Sequence, residues 1–294
     1  MHRTRASAAA GLAGLVVLAA CATAGQQPAE PRVESVPVLL ASADLRLPVQ
    51  DYLATAEQNE LFARARLKLV QDCMKRFGVD YPAEPVTADQ YGPRSLTDRR
   101  YGITDAELAR TSGYGLGARD PGLQKRPPRP DIDAAGETVL TGAGQSVVNG
   151  DPVPAGGCLG EADRTLSASV PTGTDVELGR RLQLQSFDAA KQDSRVRAVF
   201  RAWSDCMAQH GYHYADPLAA AGDPTFTGVP TAAQIAVATT DIACKSATNL
   251  VGVWFTVETA YQKRQIEQDP AGFAAVRQAL AARADTSQKT VAMK

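Results

Sequence analysis

A chain of 294 residues with 44% hydrophobic side chains can bury a real core, as one large domain or two small ones. Its formal net charge is −1 and no basic stripe stands out, so electrostatics give no case for a nucleic-acid partner.

The N-terminus reads MHRTRASAAAGLAGLVVLAAC. Arg3 and Arg5 give a basic start, Ala8 to Ala20 an apolar run, and Cys21 follows. That run is shorter than the ~20 residues a permanent spanning helix needs. The order of features is that of an export signal over residues 1–20. Leu18, Ala19, Ala20 and Cys21 resemble the lipobox of bacterial lipoproteins. In that reading Cys21 carries a diacylglyceryl group with palmitate-type chains and becomes the first residue of the mature chain, and two acyl chains suffice for stable anchoring. The expected location is the extracytoplasmic face of the cell membrane. Residues 22–37, ATAGQQPAEPRVESVP, are small, polar and proline-containing. With the lipidated cysteine they predict a flexible tether over 21–48, ahead of one ectodomain over 49–294.

The first strong helix is expected from Ala56 to Phe77, with Thr55 and Gln58 as a capping box. Leu61, Ala65, Leu69, Cys73 and Phe77 form its apolar stripe. Gly78 is placed to end it in the left-handed conformation. Regular signal then thins over 83–157. ITDAELARTSG predicts one short helix capped by Thr104, and the Gly- and Pro-rich stretches LGARDPGLQKRPPRPD and TGAGQSVVNGDPVPAGG predict loops. A helix restarts near Cys158 and runs to about Ser167. Further helices are expected over Asp175–Gln192, from cap Asp193 to His210, and from cap Thr231 to about Gln268. Pro270 either kinks the last of these or opens a final helix that frays into ADTSQKTVAMK.

The string Cys-Met-x-x-x-Gly-x-x-Tyr occurs twice, at Cys73–Tyr81 and Cys206–Tyr214. In both places it reads as the last turn and exit of an amphipathic helix. The expected fold is therefore mostly α: a disulfide-stapled helical domain of two related halves, about 49–170 and 173–294, with a loop-rich insertion in the first. With Cys21 set aside, Cys73, Cys158, Cys206 and Cys244 remain, an even count that favours disulfides outside the cytoplasm. Four cysteines allow three pairings. If the halves fold alike, the pairs are Cys73–Cys158 and Cys206–Cys244, each contributing roughly 4 kcal/mol by loop-closure entropy. Zinc usually asks for ligands only a few residues apart, a spacing these cysteines lack among themselves.

The lipobox, the tether and the paired cysteine helices together resemble a group of uncharacterised lipoproteins of high-GC Gram-positive bacteria. The residues that carry the likeness are Leu18–Cys21, Cys73–Gly78, RRYG at 99–102, GCLGEA at 157–162, Trp203–Gly211 and DIAC at 241–244. Val79 departs from it, standing where such chains often place a second aromatic. The resemblance implies a domain facing the cell wall of a one-membrane bacterium. It carries over no activity and no catalytic residue.

Candidate chemistry is sparse. His210 and His213 are the only histidines left after signal removal, and Gly211 between them should turn their side chains apart, so helix-end packing outweighs metal or base roles. Asp131 with Asp133, or Glu161 with Asp163, could serve glycoside hydrolysis, but surface carboxylates are common and nothing in the sequence places these in a cleft. GYGLG at 113–117 lacks the preceding strand a phosphate loop requires. Trp203, Trp254 and Phe255 sit in helical apolar settings and read as core. Arg99, Arg100 and Tyr101, in the loosely patterned region, are the candidate partner patch. No motif asks for a cofactor or a metal. The leading expectation is a non-enzymatic lipid-anchored protein held to the membrane through Cys21, with a cell-envelope or membrane-protein partner. The alternatives are a cell-wall hydrolase using loop carboxylates and a solute-binding component of a transporter.

Overall fold

The computed structural model describes residues 29–82, 90–125, 128 and 130–293. The expected signal peptide, Leu18, Ala19, Ala20 and the lipidation site Cys21 lie outside the described residues. Residues 1–30 and 31–294 form two separate units, and everything below concerns the second.

Ten α-helices make up this unit among the described residues: α1 (Ala56–Arg76), α2 (Ala106–Ser112), α3 (Ala134–Thr141), α4 (Gly157–Ser167), α5 (Leu178–Gln192), α6 (Ser194–Gln209), α7 (Pro217–Ala221), α8 (Ala232–Thr248), α9 (Leu250–Gln268) and α10 (Pro270–Ala292). Among the described residues the one sheet is a hairpin, β1 (Val147–Val148) against β2 (Asp151–Pro152). The mostly α, disulfide-stapled class read from the sequence is the observed one.

Helix α1 starts where capping predicts. Thr55 accepts from the Gln58 N–H while the Gln58 side chain accepts from the Thr55 N–H, so two orphan donors are satisfied reciprocally. It ends as glycine permits. Gly78 has φ of 73°, its N–H bonds Lys75 O, and the Val79 N–H bonds Met74 O. The second copy repeats this: Gly211 has φ of 83°, its N–H bonds Ala208 O, and the Tyr212 N–H bonds Met207 O. Both exits are the paired 6→1 and 5→2 bonds of a Schellman ending, which a residue with a Cβ strains to form. The repeated string is thus the same helix stop written twice.

Helix α1 packs on α4 and α10, α5 on α9, and α6 on α8 and α9; α2 lies on α8. The largest core surrounds Trp203, Trp254, Met207 and Tyr101, all fully buried. Phe187 stacks on Trp254 and Phe200 meets it edge-on. A second core forms around Cys73 and Cys158 with Val70, Met74, Phe77, Val139 and Leu140. A third joins Leu47, Val49, Tyr52, Leu182, Phe273 and Val276. Because α10 packs on α1 and α4, the two sequence halves interleave rather than standing apart.

Five expectations need correction. First, the described part of the expected tether is packed from Pro31 on: Ser42 and Leu47 are fully buried, and Val33, Leu39 and Leu45 lie against the main core. Asn249 holds this strap, accepting from the Leu39 N–H at 3.1 Å and donating to Pro37 O at 3.0 Å. A Cβ at Gly252 would fall on the Pro37 carbonyl oxygen, so glycine there is what lets the strap lie against α9. Second, the single helix expected to Gln268 is broken at Asn249, whose φ of 51° and ψ of 37° are left-handed, a conformation asparagine tolerates better than most. Third, α2 is capped by Asp105, not Thr104; Thr104 Oγ1 instead accepts from the Ser42 N–H. Fourth, α3, capped by Asp133, lies between the two stretches expected as loops, where the sequence predicts no helix, and the second stretch contains the hairpin, whose Asn149-Gly150 pair supplies the two positive-φ residues of a tight turn. Fifth, the polar tail does not fray: α10 continues to Ala292, with Ser287 and Thr290 buried.

Candidate functional site

The four cysteines pair as the duplicated halves suggest. Cys73–Cys158 joins α1 to α4 with Cα atoms 5.6 Å apart, and Cys206–Cys244 joins α6 to α8 at 5.7 Å. The two bridges differ in surroundings. Cys73 and Cys158 are both buried, whereas Cys206 is half-buried and has His210 beside it. His210, the C-cap of α6, stands one turn beyond Cys206. With Cys244 they place their three ligand-type atoms within 4.8 Å of one another. The Cys-x-x-x-His spacing was visible in CMAQH, but only the fold shows which cysteine joins it. His213 is exposed and outside that group.

The candidate partner patch is overturned. Arg100 and Tyr101 face inward to a buried carboxylate on α9. Arg100 Nε donates to Glu258 Oε1 at 2.8 Å and its Nη2 donates to Gln183 O at 2.6 Å. Tyr101 OH donates to Glu258 Oε2 at 2.9 Å, and Gln262 Nε2 donates to Oε1 at 3.0 Å. Gln262 Oε1 then accepts from the Val49 N–H at 2.9 Å. Glu258 and Gln262 are fully buried, and the Arg100 guanidinium lies over the Phe187 ring. Arg99 spends its guanidinium on the carbonyls of Tyr114 and Gly115. Arg100 reads as a surface charge because its partner sits 158 residues away.

A second buried cluster crosses α8. Lys245 Nζ donates to Asp241 Oδ2 at 2.8 Å and to Ile103 O at 2.9 Å. Asp241 also accepts from Trp203 Nε1 at 2.8 Å and Tyr114 OH at 3.2 Å. Burial holds the Asp241 carboxyl above its ordinary range and the Lys245 ammonium below its own. The Tyr101 hydroxyl is pushed well up by burial and then by the Glu258 charge; burial and Asp241 do the same to Tyr114. Perturbed groups of this kind often mark catalytic sites. Here the Glu258 and Asp241 carboxylates are each taken up by donors from other elements of the fold, so both clusters tie elements together.

Three of the candidate acids are likewise occupied, and Glu161 and Asp163 stand on α4 rather than in a loop. Asp133 caps α3 through the Gly136 N–H. Glu161 takes Arg76 at 2.7 Å, and Asp163 takes Arg66 at 2.6 Å. The Arg66 bond, followed by its charge, holds the Asp163 carboxyl below its usual range despite some burial. Asp131 is exposed on the run into α3.

An open groove of about 550 Å³ lies between residues 31–35 and α9. Arg32 and Glu34 border it on the strap, and Thr256, Thr259 and Lys263 on the helix. The Thr259 hydroxyl oxygen is buried without a hydrogen-bond partner. The strap continues into Val36, Val38 and Leu40, whose side chains are exposed. Among the described residues, no helix is long and apolar enough to cross a membrane. Comparison with protein-family models, with curated proteins and with solved structures found no match for this chain.

Proposed function

We propose that this chain is a lipid-anchored, extracytoplasmic protein of the high-GC Gram-positive lipoprotein group, and that it binds a cell-envelope or membrane-protein partner without itself catalysing a reaction. The observation that carries the reading is the pair of disulfides joining α1 to α4 and α6 to α8. Covalent staples of this kind persist in oxidising compartments and are rare in cytosolic proteins. They agree with the export signal and lipobox ending at Cys21. The groove along α9 is the binding surface in this reading. It is shallow and bordered by both signs of charge, and it runs into the exposed Val36, Val38 and Leu40, which suits a macromolecular surface better than an engulfed solute. The hydrolase alternative draws no support from Glu161 and Asp163, which are held by arginines.

The test has two arms. Cys21→Ala should move the chain from the membrane pellet to the soluble fraction. A photo-cross-linker at Lys263, in the groove, should capture a discrete envelope partner that the same group at Val229, exposed elsewhere, does not. Retention of Cys21→Ala in the membrane defeats the anchoring half; identical adducts from the two positions defeat the binding half.

A further inference from the structure

The two copies of the helix-exit string differ at one chemically decisive place. Four residues after its cysteine the first copy has Phe77, buried against the Cys73–Cys158 bridge, and the second has His210, exposed beside Cys206. Phenylalanine closes its bridge with hydrocarbon. Histidine brings a ring nitrogen, and α8 brings Cys244 to the same point. The three ligand atoms, two sulfurs and one nitrogen, lie within 4.8 Å of one another.

We propose that reduction of the Cys206–Cys244 bridge converts this corner of the fold into a zinc site formed by Cys206, His210 and Cys244, with a fourth position open to water. A dithiol supplies the two electrons and two protons: its own sulfurs join as a disulfide, the Cys206–Cys244 bond breaks, and two thiols form. Zinc then displaces the two thiol protons and binds two thiolates and the neutral imidazole. Zn–S bonds of about 2.3 Å and Zn–N bonds of about 2.0 Å put tetrahedral ligand atoms roughly 3.5–3.8 Å apart. The sulfurs need only separate to that spacing, and His210 is already within reach. Cα atoms 5.7 Å apart accommodate the change by side-chain rotation. The half-buried Cys206 gives a reductant access that Cys73 and Cys158 do not. The other bridge has no imidazole: its copy of the string has Phe77 there, and the Glu161 carboxylate, 4.0 Å from Cys73, is held by Arg76. A Cys₂His set with an open position is the donor chemistry of zinc rather than of magnesium or calcium.

Cobalt reports the site directly. The full-length chain in detergent is reduced with a phosphine, which takes its oxygen from water and leaves two thiols per bridge, then desalted without oxygen and titrated with Co²⁺. One equivalent should produce tetrahedral ligand-field absorption and a thiolate charge-transfer band, both abolished by Zn²⁺ and absent from the oxidised chain. His210→Ala, an exposed change, should weaken zinc affinity at least tenfold, while His213→Ala leaves it unchanged. Zinc should protect Cys206 and Cys244, and not Cys73 and Cys158, from alkylation read by mass spectrometry. The proposal fails if the reduced chain gives no such bands, if His210→Ala binds as tightly as the parent, or if protection falls on the other pair. It also fails if reduction abolishes the helical circular-dichroism signal and zinc does not restore it.

Discussion

Replacing Glu258 by glutamine tests whether the buried polar cluster holds the fold. The change keeps the shape of the side chain and removes its charge. In the parent, Glu258 accepts from two nitrogens of Arg100, from Tyr101 OH and from Gln262 Nε2, all in a fully buried setting. A glutamine offers one oxygen and turns an NH₂ group toward those donors. Arg100, only 9% exposed, is left as a buried cation without its counter-charge. Breaking a buried ion pair in this way costs about 3–5 kcal/mol, against a total of about 5–15 kcal/mol for a domain. With m near 2–3 kcal/mol/M, the urea midpoint should fall by about 1–2 M. Fluorescence of Trp203 and Trp254 in the oxidised protein reads it, since Trp254 packs on Tyr101 with ring centroids 5.2 Å apart. Asp163→Asn is the internal comparison: its pair with Arg66 is exposed, and such pairs are worth about 0–1 kcal/mol. Adding Arg100→Met to Glu258→Gln should recover part of the loss, giving a coupling of at least about 1 kcal/mol. If Glu258→Gln costs no more than Asp163→Asn, the cluster is not what joins these segments.

Asn249→Ala removes two hydrogen bonds to the strap and places alanine at φ of 51°, so about 2–3 kcal/mol should be lost; faster amide exchange at Leu39 would confirm that the strap is released, and unchanged exchange would refute it. Replacing Cys206 and Cys244 by serine should cost about 4 kcal/mol and replacing Cys73 and Cys158 slightly more, because the closed segments span 38 and 85 residues; denaturant midpoints decide, and equal losses below 1 kcal/mol would reject the staple role. In alkali, burial and then the bond to Asp223 push the Tyr214 hydroxyl up to about 12, and Tyr101 and Tyr114 are raised too. Folded values above the unfolded value near 10 mean that their stabilisation is complete below about pH 10 and is lost as pH rises. Phenolate absorbance should therefore show these three tyrosines ionising late, and full ionisation near pH 10 with intact circular dichroism would contradict the burial argument. In acid the sign reverses for Asp193. Burial works to raise it, but the Arg195 side chain, the Arg195 N–H and Tyr261 OH outweigh burial and hold it low. Its contribution is complete above about pH 4 and lost as pH falls through the folded value, so Asp193→Asn should flatten the acid limb of a stability-against-pH curve.

What the sequence revealed was local. Helix α1 showed its start in Thr55 and Gln58, its buried stripe in the four-residue spacing, and its end in Gly78; α6 did the same from Asp193 to Gly211. The cysteine pairing followed from matching one exit to the other. Helix α3 was hidden because Gly136 interrupts it and its neighbours are rich in glycine and proline. The stop at Asn249 was hidden because asparagine is only an occasional left-handed residue, and apolar spacing continues on both sides of it. The last turns of α10 look like a tail because Ser287 and Thr290 are polar; their burial comes from tertiary packing that no nearby residue announces. Arg100 was misread for the same reason on a larger scale, since a charge in a weakly patterned stretch signals a surface until Glu258 is found opposite it.

The clusters at Glu258 and Asp241 sit where helical packing alone specifies least. The segment 99–102 is not helical and must be held in one place against α5, α8 and α9. Apolar contacts are non-directional and would accept several placements of such a loop. Arg100 accepts only a position from which it reaches both the Glu258 carboxylate and the Gln183 carbonyl. Lys245 sets a similar condition from the other side through Ile103 O. Buried ion pairs commonly add little net stability, so their effect here is to select one arrangement of the middle segment. The Cys206–Cys244 bridge then ties α8, one of the helices on which that segment is docked, to α6. It lies beside the Asp241 cluster, since Cys244 precedes Lys245 and Cys206 follows Trp203 by one turn, so the covalent staple and the polar network hold the same two helices in one register.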